Sequence, residues 1–134
     1  MSLADVHGRL SVTAAIFTFV MGVWAVVLFA RNRGVDGNYL GAIVVGEMLL
    51  IVQAVLGAVL LVQTGGLVSL RWVHILYGVL AALIWPFVFT YTRETPQRAV
   101  PPRLESILFG AASLFLWGLV MRAIATAVAA GPAA

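Results

Sequence analysis

Four apolar stretches, at about 10–30, 39–62, 72–92 and 105–127, occupy most of a chain of 134 residues. Each is long enough to cross a hydrocarbon core that needs ~20 helical residues. Water is absent from that core, so a spanning segment must satisfy its backbone internally, and for stretches of this length only the α-helix does so. The first stretch is too long for the core of a signal peptide and has no basic leader, so it is expected to be a retained helix. Short linkers, "RNRGVDGN", "QTGGLVSLR" and "RETPQRAVPPR", make successive helices antiparallel. The expected fold is all-α, a transmembrane up-down four-helix bundle over residues 1–134 with no separate soluble domain.

Composition agrees and narrows the function classes. The chain is 63% hydrophobic and 10% charged, which places it in a membrane. Its basic residues are all arginine, and they sit in linkers and at helix ends, a pattern unlike the basic face of a nucleic-acid binder. The absence of cysteine removes disulfides, thiolate metal ligands and thiol nucleophiles. Paired broken helices at midplane, the mark of many transporters, are not present in the pattern either. Arg31, Arg33, Arg93, Arg98 and Arg103 fall at one end of the predicted bundle and Arg9, Arg71 and Arg122 at the other. By the positive-inside rule, the end with five arginines is cytoplasmic, and both termini and the glycine turn lie outside. Trp72, Tyr39 and Tyr91 are placed to anchor at the two interfaces, and Pro86 marks the expected bend in the third helix.

The two histidines fall at one end. His7 stands just ahead of the first predicted helix and His74 two residues into the third, and these two helices run parallel. Neutral imidazole ligates haem iron, and bundle cores accept a porphyrin when facing helices each supply one nitrogen. Small residues follow each histidine at helical spacing: Ser11, Ala14, Thr18 and Gly22 after His7, and Gly78 with Ala81 or Ala82 after His74. Such slim faces admit a flat macrocycle, and equally suit ordinary membrane helix packing. Arg9, Arg71 and Arg122 lie at the same end, where a guanidinium can grip a propionate or snorkel to the interface. One measure opposes a pair at one level. His7 lies 24 residues before Arg31, whereas His74 lies 19 before Arg93, a mismatch of about 7 Å. On that count His7 is alternatively a propionate contact, with His74 the only ligand.

The second stretch carries Gly46, Gln53 and Gly57 on one face, with Glu47 beside them. A carboxylic acid in lipid is costly unless paired or neutral, so Glu47 is a candidate either for proton relay or for a hydrogen bond to a neighbouring helix. Gln53 and Gly57 allow close approach to whatever fills the bundle. Asp5 is the candidate acceptor for the ring N–H of His7, since metal-bound imidazoles ordinarily donate their second nitrogen.

Three segments, "HGRLSV" at 7–12, "QAVLGA" at 53–58 and "VHILYG" at 73–78, together resemble one four-helix half of the haem A synthase family, over residues 7 to roughly 90. The resemblance implies a bundle in which His7 and His74 are axial ligands near the outer face and Arg9 lies near the propionates. The chain departs from the family pattern in several places. Gly8 separates His7 from Arg9, Ala4 stands where the family has a glutamate three residues before the histidine, and the loop cysteines are missing. The departures argue against the family's oxidative chemistry.

The expectation is therefore a bis-histidine haem b protein of a prokaryotic plasma membrane, serving electron transfer or haem handling as a small subunit of a respiratory or photosynthetic complex. Its site residues are His7 and His74 as metal ligands, with Arg9, Arg71, Arg122, Gln53, Gly57 and Gly78 around the cofactor. Expected partners are the lipid bilayer and other membrane subunits or further copies of the chain, and no nucleic acid. The alternatives are a cofactor-free structural subunit and a half-size haem A synthase acting as a dimer.

Overall fold

The computed structural model describes residues 1–63, 69–97 and 99–129, except for the side chains at 69–71 and 129. Its four helices are α1 (Leu3–Ala30), α2 (Gly37–Gln63), α3 (Ser69–Thr92) and α4 (Pro102–Ala129). All four contain a span long and apolar enough to cross a membrane, and the chain is an integral membrane protein with a four-helix bundle. α1 packs on α2 and α4, and α3 packs on the same two helices. Thus α1 and α3 face each other diagonally across the bundle axis.

Helix boundaries follow local chemistry. α1 begins at Leu3, not near residue 10, because Ser2 and Asp5 form a reciprocal capping box: the Ser2 hydroxyl accepts from the Asp5 N–H at 3.1 Å, and the Asp5 carboxylate accepts from the Ser2 N–H at 2.8 Å. His7 is consequently inside α1, and His74 lies five residues past the first residue of α3. At the other end of α1, Asn32 adopts φ 55°, its N–H donates to Phe29 O, and the Arg33 N–H donates to Leu28 O. These are the paired bonds of a Schellman cap, with asparagine in the left-handed position usually held by glycine. Asp36 caps α2 by accepting from the Tyr39 N–H at 2.9 Å. Pro102 opens α4, where a missing N–H costs nothing. α3 runs without a break through Pro86.

The end that carries the α1–α2 and α3–α4 linkers is locked by α4. Glu105 Oε2 accepts from the Val35 N–H at 3.1 Å, and the Ser106 hydroxyl donates to Arg33 O. Gly34 permits this, since a Cβ there would come within 2.7 Å of Glu105 Oε2.

The middle of the bundle is joined by a polar chain that visits every helix. Trp85 Nε1 on α3 donates to Ser113 Oγ on α4 at 3.0 Å, Ser113 Oγ lies 3.5 Å from the Tyr39 hydroxyl on α2, and that hydroxyl donates to Met21 O on α1 at 3.2 Å. Tyr39 is 0% exposed, with Trp24 and Phe109 packed edge-on against its ring. It is a core residue and not the interfacial anchor expected from its place near a helix start, because the partners that accept its hydroxyl lie in the bundle interior. Trp72 and Tyr91 are exposed at opposite ends, as anchors should be. Phe17 on α1 meets Trp85 edge-on, and Gly46 on α2 makes room for both. A Cβ at Gly46 would approach Phe17 to 2.5 Å and Trp85 to 2.6 Å. Gly46→Ala should destabilise the protein by ~1–3 kcal/mol through overpacking, read as a lower unfolding temperature in detergent. Gly41→Ala, where nothing lies within 4 Å, should leave that temperature unchanged or raise it, because alanine favours the helix.

Candidate functional site

His7 and His74 come together across the bundle axis. Their ring centres are 6.1 Å apart and their planes meet at 67°, although the backbones of α1 and α3 are not in contact. The paired level also explains the unequal spacing to the arginines. Phe17 is ten residues after His7 and Trp85 eleven after His74, so the two helices keep step over about 15 Å between the imidazoles and the Phe17–Trp85 contact. The extra length of α1 lies wholly beyond that contact, toward Arg31.

Each imidazole is set by a different neighbour. His74 Nδ1 lies 3.1 Å from the carbonyl oxygen of Ala123 on α4. A carbonyl only accepts, so Nδ1 carries the hydrogen, and in the neutral ring the lone pair is on Nε2. The same carbonyl accepts from the Thr126 hydroxyl at 2.9 Å. His7 packs into a notch on α2: a Cβ on Gly57 would be 3.3 Å from His7 Cε1 and 3.9 Å from Nε2. Its Nδ1 is buried and has no hydrogen-bond partner. Asp5 does not serve as that partner, because its carboxylate is committed to the helix cap with Ser2.

Gln53 holds the backbone of this region. Its Nε2 donates to His7 O at 2.8 Å and to the Ser11 hydroxyl, which itself donates to His7 O at 2.9 Å. The second turn of α1 is thereby pinned to α2 at the level of the imidazoles, while Gln53 Oε1 remains buried and unpartnered. Sequence spacing put Gln53 on the right wall, but its side chain grips α1 through the amide. Gly78, one turn beyond His74, has open space where a Cβ would be. Ala14, Thr18 and Ala81 are buried below the imidazoles, and the Thr18 hydroxyl is satisfied by Ala14 O at 2.8 Å. The slim face of α1 ends there: Gly22 is filled by Leu114 of α4, so it serves helix packing rather than the histidine site.

Arg9 and Arg122 are exposed at the histidine end. Arg122 adjoins Ala123, whose carbonyl receives His74. The side chain of Arg71 lies outside the described residues. Glu47 is half-buried on α2 with Oε2 enclosed and unpartnered, beside Gly46 and therefore at the level of the Phe17–Trp85 contact, away from the imidazoles. Among the described residues, no group of three or more histidine, cysteine, aspartate or glutamate side chains gathers to hold a metal ion by itself. Two imidazoles alone suit a metal whose remaining positions are filled by a macrocycle. No protein-family model, curated protein or solved structure matches the chain.

The residue that sequence reasoning missed is Ala123, which acts through its main-chain carbonyl. Nothing in a side-chain pattern marks such an acceptor. The Gln53–Ser11–His7 contact can be measured directly. Ser11→Ala and Gln53→Leu should each lower unfolding stability, and a double-mutant cycle should return a coupling of ~0.5–2 kcal/mol between them.

Proposed function

We propose that the chain is a haem b-binding membrane protein, built like half of a haem A synthase, that passes single electrons or handles haem as a small subunit of a respiratory or photosynthetic complex. The observation that carries this reading is the spacing of the two imidazoles. A metal bonds an imidazole nitrogen at ~2.0 Å, and with the half-width of each ring added, two imidazoles on opposite sides of one ion have centres about 6 Å apart. His7 and His74 lie 6.1 Å apart, centre to centre.

Other groups fit the same ligand. The enclosed, unpartnered Oε1 of Gln53 is costly in a site that stays empty of polar company. Gly57 admits the His7 ring, and Gly78 leaves open space one turn beyond His74. Arg9 and Arg122, with Arg71 by sequence, supply guanidinium groups for propionates at the histidine end. Bound there, haem supplies reversible one-electron chemistry. The chain's own residues hold it: the Ala123 carbonyl fixes the His74 tautomer, Gln53 fixes the turn that bears His7, and the packed Phe17–Trp85 layer closes the site from below. The arginine bias supports an orientation with the histidine end outside, and the reading takes the membrane to be the plasma membrane of a prokaryote.

Purified, dithionite-reduced protein should show the sharp α and β bands of low-spin, six-coordinate haem. His74→Ala should abolish them, and a colourless, stably folded preparation sinks the reading. Acid extraction should give unmodified haem b; a formylated haem would assign the protein to the enzyme class instead.

A further inference from the structure

The two imidazoles are held unequally. His74 is anchored through Nδ1–H to the Ala123 carbonyl, a contact that orients a ligating ring and raises its basicity. His7 has no counterpart: its Nδ1 is enclosed and unpartnered, and the Gly57 notch limits the ring only by shape. The Gln53 amide grips the main-chain oxygen of His7 and the Ser11 hydroxyl, so it holds the turn and makes no bond to the ring.

Building on the haem reading above, we infer that the site is asymmetric: His74 is the permanent axial ligand, and His7 is an exchangeable one that yields its position to a small uncharged diatomic molecule. The paired imidazoles then form a gas-responsive site as well as a redox site, with α1 as the element that reports occupancy. Exchange at this position needs no change in oxidation state. A neutral donor replaces a neutral imidazole, and the displaced ring keeps its proton on Nδ1.

Carbon monoxide added to the reduced native protein is the test. A saturable Soret shift is expected. His7→Ala should retain haem, bind carbon monoxide at least ~10-fold more tightly than the native protein, and regain a six-coordinate spectrum when free imidazole is supplied. His74→Ala should lose haem affinity by roughly 10- to 100-fold more than His7→Ala does, the scale on which anchored ligand shells act. The asymmetry is overturned if carbon monoxide leaves the native spectrum unchanged, if both variants lose haem equally, or if His74→Ala keeps haem while His7→Ala loses it. Absence of haem from the native protein overturns the haem reading itself, an outcome separate from these three.

Discussion

Helices in lipid gain little from hiding apolar surface from one another, because the surrounding chains are as apolar as leucine; close packing and buried hydrogen bonds hold them together. In this bundle, close packing depends on missing side chains. Gly22 admits Leu114 and Gly110 accommodates Ala25 where α1 meets α4, Gly46 admits Phe17 and Trp85, and Gly57 admits the His7 ring. Each notch is matched by a particular side chain, so the glycines set the register of the helices as well as their separation. That register brings two imidazoles from diagonal helices to one level.

Polar groups complete the arrangement in three tiers. Glu105 and Ser106 tie α4 to the linker after α1. The Trp85–Ser113–Tyr39–Met21 chain joins all four helices in the middle. Gln53, Ser11 and the Ala123 carbonyl serve the histidine end. An unsatisfied donor in hydrocarbon costs more than in water-exposed protein, which gives each tier its specificity. Against this background, the unpartnered atoms of His7, Gln53 and Glu47 stand apart, and two of the three belong to the histidine site.

The number of helices, their order and the pairing of the histidines were legible in the sequence, because hydropathy over ~20 residues and antiparallel connection leave few arrangements. The start of α1 was not. Ser2 and Asp5 look like a polar tail until their reciprocal bonds are seen. The apparent register conflict between His7 and His74 has its source at the other end of α1, in the extra length between Phe17 and Arg31. Tyr39 misled for a related reason: distance from a helix end does not reveal which way a ring turns, and its hydroxyl found Met21 O inside the bundle. The role of Gly22 was ambiguous, since a small residue invites a cofactor or a neighbouring helix equally. The Ala123 carbonyl was invisible, because every residue has one.

The layer formed by Phe17, Gly46 and Trp85 has an electrical meaning. Trp85 is 1% exposed and Gly46 has no room for even a methyl group, so this layer shuts the bundle interior between the histidines and the linkers at the opposite end. Moving a charge through the full membrane potential involves about 2.3 kcal/mol per 100 mV. A layer without room for a methyl group leaves no passage through this part of the bundle by which a charge could cross that field.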